Sequence, residues 1–473
     1  MTPWRGGRPT HMTARGGGIR DTHHLVEPAP PERLQWDGLQ VALGVLVFMQ
    51  VWRVHELFPI LAVRGLPLFA ALVALLLFSM DRDPRRRLSS LNEPVVRAAL
   101  GLLVLVTLSV PGSLYPRLSL EFLLKDYLRS VTLMLLLVAA SIRGLADLRR
   151  LAWLQIAGVT LFSAVILHRS PLTSEGRLLA MAYYDANDLA LLIVSTLPLV
   201  LCLWRRPAGV VARLLLTATT VFLMVTLGKT GSRGGFLGFL AVAAYLLLRF
   251  HAISRAKRVA AVALIAVLLV AVTNEGYFER MRTMLHPSTD YNWSGQSESG
   301  RLEVWKRGIS YMVSHPLLGV GAGAFPIAEG TLAPEARVQQ YGRGFKWSAA
   351  HNSFIEIGAE VGVLGLILFV VLLGGAFRAL SRVRRGPPGE AAFLAQALTG
   401  SLIGFAVTAV FLSQAYSSYF YMLLGMSLGL ARVASPVRAP VLLSARPVPG
   451  SVQAPRWVAD VVPPAGRLTR DAP

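Results

Sequence analysis

The chain has 473 residues, 54% hydrophobic and only 15% charged, with a mean hydropathy of +0.53, where a soluble protein would carry about 25% charged residues. Its net charge of +21 is spread over loops between apolar runs, with no basic patch of interleaved aromatics, so nucleic acid is set aside as a partner. The one cysteine, Cys202, lies inside an apolar run and excludes an intrachain disulfide. The apolar runs are roughly 17–25 residues long, enough to cross a bilayer as helices. The fold class expected is therefore all-α, a polytopic membrane protein.

Residues 1–37 are rich in Gly, Arg, Pro and His, without an apolar period, and read as a disordered tail. The first apolar run lacks a small-residue cleavage site and reads as a retained span. The spans fall at 39–57, 60–78, 95–111, 122–142, 151–168, 188–204, 211–228, 235–250, 258–273, 353–376, 393–412 and 417–433, about twelve in all. Alternate loops differ sharply in Lys and Arg. One set holds Arg82, Arg85, Arg86 and Arg87, then Arg143, Arg149 and Arg150, and later Arg378, Arg382, Arg384 and Arg385; the other set is poor in them. The rich set is expected in the cytoplasm, with both termini. That leaves 274–350 as one large outer loop and 38–433 as the membrane domain. The tail 434–473 reads as flexible and cytoplasmic.

Within the outer loop, Leu302, Trp305, Ile309 and Met312 recur at helical spacing opposite Arg301, Lys306 and Arg307. That pattern predicts an amphipathic helix lying on the membrane surface. The glycine-rich turn at 316–325 lacks the strand and the Lys-Ser/Thr of a phosphate loop. His351 and Asn352 stand where the polar segment gives way to a long apolar helix, with Asn352 as a plausible N-cap. His351 shares a face with Ile355, Gly358, Gly362 and Gly365, and the glycines would admit a neighbouring helix. Glu356 and Glu360 point to the other side and should face protein or water, where they could orient His351 or pair with an arginine; the angular separation favours the second.

Two further outer groups could carry chemistry. The link Gly228-Lys229-Thr230-Gly231-Ser232-Arg233 combines two cations with glycines ahead of a helix N-terminus, a natural anion site; the alternative is snorkelling to lipid phosphate. The run Tyr183-Tyr184-Asp185-Ala186-Asn187-Asp188 enters a span. Asn187 and Asp188 could cap that helix, or bind a sugar with Tyr183 or Tyr184 stacked on its ring.

Taken together, these features resemble the bacterial O-antigen ligase and O-antigen polymerase superfamily of integral membrane glycosyltransferases. The ligase pattern of His, then Asn, Ser or Gln, nine residues, Gly, two residues, then Gly, Thr or Tyr is met by His351, Asn352, Gly362 and Gly365. The Arg-x-x-x-Leu pattern is met by Arg233 and Leu237, and Gly300-Arg301 with Trp305 resembles the family's surface helix. The resemblance covers roughly 39–433. It implies a GT-C-like fold in the inner membrane and transfer of a glycan from an undecaprenyl-diphosphate carrier to an acceptor hydroxyl on the periplasmic face, without nucleotide, metal or other cofactor. It assigns His351 as catalytic base and Arg233 and Arg301, helped by Lys229, to the diphosphate. Asn352, Tyr184, Asn187, Asp188, Trp305 and Glu356 become supporting or glycan-binding candidates. Lipid A core is the first acceptor expected, making the protein a ligase; a growing glycan, making it an O-antigen or exopolysaccharide polymerase, is the alternative. A protein acceptor and a lipid-linked-glycan transporter rank lower.

Overall fold

The computed structural model describes residues 35–435 except 64, 89–92, 172, 174–176, 179–183, 205–208, 251–253, 273–274, 287, 289, 296 and 339–346. Most of both tails, Tyr183 and part of the large loop therefore lie outside the described residues. All regular structure longer than a single bridge is helical among those described.

The apolar stretches form α1 (Gly38–Gln50), α2 (Leu66–Met80) and α3 (Pro94–Ser109). A continuous helix, α4, then runs over 116–141, through π-helical turns at Leu123–Tyr127 and Ser130–Leu137. There follow α5 (Leu145–Arg169), α6 (Ala186–Trp204), α7 (Val210–Thr230), α8 (Arg233–Arg249) and α9 (Arg255–Val272). Three short helices lie in the large loop, α10 (Glu275–Arg282), α11 (Arg301–Ser314) and α12 (Phe325–Thr331). The chain closes with α13 (Ser353–Arg384), α14 (Glu390–Ala409) and α15 (Ser418–Ala434).

Each expected stretch carries helix among the described residues, but not all as a full span. Among those residues five helices, α5, α6, α7, α13 and α14, are long and apolar enough to cross a bilayer, and a sixth if α9 is joined to the segment after it across a 112° bend. The first stretch is shorter than expected. It stops at Gln50, where Trp52 is buried and Arg53 turns with φ 48°, so α1 rises only about 20 Å.

The centre of the bundle is α6, α14 and α15. They bury side chains all round, as Tyr419 to Ala431 do without a break. α14 packs between α6 and α8, and also against α13 and α15. The periphery is α2, α7 and α9, which expose Leu68, Phe69 and Leu72, Val210 and Leu214, and Leu264 and Val267. Apolar surface on that scale needs lipid around it. The chain is a helical membrane protein.

The glycine face of α13 admits a neighbouring helix, as expected: α11, together with the turn after it. An added Cβ at Gly358 would lie 2.5 Å from Met312 Sδ, and one at Gly362 2.5 Å from the Pro316 carbonyl oxygen. At Gly362 the helix breaks, with φ 83° and ψ −179°. The turn 316–325 fills the break. Val320 and Gly321 donate their amides to the carbonyls of Ala359 and Glu360 (2.9 and 3.0 Å), and Val363 donates to Pro316 (2.9 Å). The Glu360 carboxylate accepts from the amides of Gly323 (2.9 Å) and Phe325 (3.0 Å). These amides of the glycine-rich turn therefore bind protein.

The inward face of α11 also differs from the sequence pattern. Val304, Arg307, Gly308 and Tyr311 are buried, while Ile309 is exposed. Arg307, expected on the solvated side, makes a two-pronged pair with Glu329 of α12 (2.9 and 2.6 Å), and Tyr311 donates to the same carboxylate at 2.9 Å.

Candidate functional site

The link between α7 and α8 is a tight turn. Gly231 caps α7 with φ 57°, and Ser232 caps α8 by accepting from the Gly235 amide at 3.1 Å. Arg233 is therefore the first residue of α8, at the helix end that favours negative charge. Its Nη1 donates to Thr283 Oγ1 at 2.8 Å and to the carboxylate of Asp290. Burial raises the Asp290 carboxyl, but the hydrogen bonds from Arg233 and the Asn292 amide outweigh it and hold the group below its usual range. The Lys229 carbonyl accepts from the Leu178 amide at 3.0 Å, tying the preceding loop to this turn.

Arg301 opens α11 beside this turn. Gly300 before it permits the loop to close, because a Cβ there would lie 2.7 Å from the Tyr291 carbonyl oxygen. Burial and then the positive charge of Arg233 push the Arg301 guanidinium down to about 10, still a cation at neutral pH. Arg177, Asp185 and Asp290 also act on it electrostatically. Arg177 donates Nε to the Thr230 carbonyl at 3.1 Å, and an added Cβ at Gly231 would sit 3.4 Å from both Arg177 Cγ and Arg280 Nη1. Four arginines, 177, 233, 280 and 301, thus surround one turn, with Asp185 and Asp290 the carboxylates that act on Arg301.

His351 is one step away. Trp305, one helical turn or about 6 Å along α11 from Arg301, donates Nε1 to the Ala350 carbonyl at 3.0 Å. The ring of Trp305 lies 5.2 Å from Trp293 and 6.3 Å from Phe411, and Phe411 in turn packs on Gly234 of the arginine turn. His351 itself has a left-handed backbone, φ 47°, held by its amide bond to Ser413 Oγ at 3.0 Å. Asn352 caps α13 as expected, its Oδ1 accepting from the amides of Phe354 (2.9 Å) and Ile355 (3.1 Å). Ser353 donates to the Leu412 carbonyl at 2.6 Å and accepts from the Gln414 amide at 2.9 Å. Glu356 accepts from the Ala415 amide at 3.3 Å. Its bond, like those of Glu360, is to backbone amides of a facing turn and not to an arginine. The expected arginine pairing is corrected accordingly, because turns 320–325 and 410–417 reach the two carboxylates first.

The Asp-Asn run is a capping box with Asp185 as the cap. Asp185 Oδ1 accepts from the amides of Asn187 (2.7 Å) and Asp188 (2.8 Å), and the Asp185 amide donates back to Asp188 Oδ2 at 3.0 Å. Asp188 also accepts from Gln414 Nε2 at 2.9 Å, and Asn187 Oδ1 faces Arg177 Nη2 at 3.5 Å. Tyr184 donates its hydroxyl to the Val51 carbonyl at 2.9 Å and sets its ring edge-on to Phe162. Both contacts fix the ring against the ends of neighbouring helices.

The structure therefore brings Lys229, Arg233, Arg301, Trp305, His351, Asn352, Asn187 and Asp188 to one end of the bundle. It adds Asp185 of the same Asp-Asn run, and Arg177, Arg280, Asp290, Ser413 and Gln414, which no local motif marks. Four arginines and two acids thus gather at one end of a helical bundle, and Trp305 ties the helix that Arg301 opens to the peptide just before His351. Residues 218–370 match the sequence model of the family described as O-antigen ligase, which supports the O-antigen ligase and polymerase superfamily for this chain. That span contains Lys229, Arg233, Arg280, Arg301, Trp305 and His351 and ends before the turn that carries Ser413 and Gln414. No curated protein matches the chain.

Proposed function

We propose that the protein transfers a glycan from an undecaprenyl-diphosphate carrier to an acceptor hydroxyl on the periplasmic face of the inner membrane, with lipid A core as the acceptor. The observation that carries this reading is the arginine cluster at the α7–α8 turn. A partly buried guanidinium whose charge is disfavoured by burial and by a second guanidinium gains most from a bound anion. A diphosphate offers several oxygens to planar, bidentate donors. In this reading Arg233 and Arg301 hold the diphosphate, Arg177, Arg280 and Lys229 add positive charge around it, and Asp290 occupies Arg233 until the donor displaces it.

His351 then removes the acceptor proton as the acceptor oxygen attacks the anomeric carbon. The sugar–phosphate bond breaks, and its electron pair leaves on the diphosphate, giving inversion. Trp305 and Trp293 line the path between the two groups and suit a sugar face. Asn352, Glu356 and Asp188 act through the backbone and through Gln414 to hold the histidine turn.

The test is transfer by purified, reconstituted protein supplied with undecaprenyl-diphosphate repeat units, with and without lipid A core. His351→Ala is expected to lower transfer about 10²–10⁴-fold. Arg301→Lys, Arg177→Ala and Arg280→Ala are each expected to cost about tenfold or more. Glycan on the core supports the ligase; longer carrier-linked glycan without the core makes it a polymerase. Full transfer by a stably folded His351→Ala variant would remove the histidine from the mechanism.

A further inference from the structure

A cavity of about 460 Å³ lies between α6, α7, α8 and α9. Its walls come from 197–204 on α6, 217–221 on α7, 239–246 on α8 and 257–265 on α9. These are the halves of α6, α7 and α8 that point away from Asp188, Lys229 and Arg233. The cavity therefore lies at the other end of the bundle from the arginine cluster. Its size falls in the range of small-molecule sites, about 300–1,000 Å³.

The walls are almost wholly apolar, and the charged residues on them are Lys257 and Arg258. Arg258 is only 9% exposed. Its Nη1 donates to the carbonyls of Leu246 (3.3 Å) and Leu247 (2.8 Å), which the end of α8 leaves open. Its Nε is buried with no hydrogen-bond partner among the described residues. No carboxylate among them pairs with Lys257 or Arg258. An arginine that snorkels puts its head in water. This one is folded back into an apolar recess, where an uncompensated cation is costly. Trp204 stands at the same end, its Nε1 bonded to Thr217 Oγ1 at 3.2 Å.

An apolar recess closed by two unpaired cations complements an amphiphile with one anionic head and an apolar tail. We propose that the cavity holds an acyl chain of an anionic phospholipid, with its phosphate against Lys257 and Arg258. The phosphate supplies the counter-charge and an acceptor for the unpartnered Nε. A phospholipid reaches only one leaflet, which suits a cavity confined to one half of the bundle. The binding is separate from the donor site, so it stands whichever acceptor the enzyme uses.

The probe is phosphatidylglycerol with brominated chains, compared with brominated phosphatidylcholine, titrated into the full-length protein in nanodiscs. Quenching due to Trp204 is the difference between wild type and Trp204→Phe. Half-maximal quenching is expected at an at least about tenfold lower mole fraction of phosphatidylglycerol, since each cation near a phosphate favours it. Joint Lys257→Gln and Arg258→Gln substitution is expected to remove the preference. Ala261→Phe, which fills the cavity and keeps both cations, is expected to remove the quenching at low mole fraction. Equal quenching by the two lipids, or a preference that survives the double substitution, overturns the proposal. So does displacement of phosphatidylglycerol by an equal mole fraction of undecaprenyl phosphate, which would give the cavity to the polyprenyl carrier. Should the double variant misfold, the wild-type lipid comparison and Ala261→Phe still decide.

Discussion

Asp290 shows how the resting site handles its surplus of positive charge. Its carboxylate is bound to Arg233 and held below the usual value of 3.8. A depressed carboxyl contributes stability that is present above its unfolded pKa and is lost as pH falls through the lower folded one. The wild type should therefore unfold at a higher temperature than Asp290→Asn above about pH 4. The gap should close as the medium is acidified below that, and a gap independent of pH would show that the pair contributes no charge-dependent stability. Arg233, Arg301 and His351 were legible in the sequence because each stands at the end of a helix, in a place where a polar residue needs a reason. Arg177 and Arg280 were not. Each comes from an irregular or short segment, and only the fold sets both beside Gly231.

At the scale of elements, α13 does not complete its own hydrogen-bond ladder, and the turn 316–325 completes it instead. Gly362→Ala would force a left-handed backbone onto an alanine and drive its Cβ to 2.5 Å from the Pro316 carbonyl oxygen. A loss of about 1–3 kcal/mol from the backbone conformation alone is expected, with more from the clash and a parallel fall in transfer. Gly374→Ala, in the same helix with nothing within 4 Å, should be neutral or gain about 1 kcal/mol. Thermal unfolding of both variants in detergent checks this, and similar values for the two would mean that the break is not required. The glycine spacing of α13 was readable as a close approach. The identity of the guest was not, because small residues at intervals of three and four fit any closely packed backbone. The inward face of α11 departs from the sequence pattern for a related reason. Arg307 looks solvated until Glu329, 22 residues later, is placed beside it.

For the whole molecule, the alternation of Arg-rich and Arg-poor loops predicts which end faces the cytoplasm. The positions of the helices followed from hydropathy; their lengths did not, since α1 stops where Trp52 packs inward. Sidedness can be measured with Cys202→Ala as background and single cysteines at Ser288, near the arginines, and at Gly386, between α13 and α14. Both of these positions are exposed. A membrane-impermeant maleimide should label Ser288→Cys in intact spheroplasts and Gly386→Cys only after lysis. The opposite pattern would put the arginine cluster in the cytoplasm and sink the periplasmic transfer reading.

The turn at 410–417 has a consequence for biosynthesis. It lies between α14 and α15, yet it supplies the hydroxyl that holds the His351 amide and the glutamine that holds Asp188. A ribosome releases it after every arginine of the cluster has left the exit tunnel. A nascent or prematurely terminated chain would thus present the arginine cluster while the histidine still lacked its support. On the proposed reading, only a chain that includes this turn is competent, so a product aborted before it could hold a scarce donor but could not spend it.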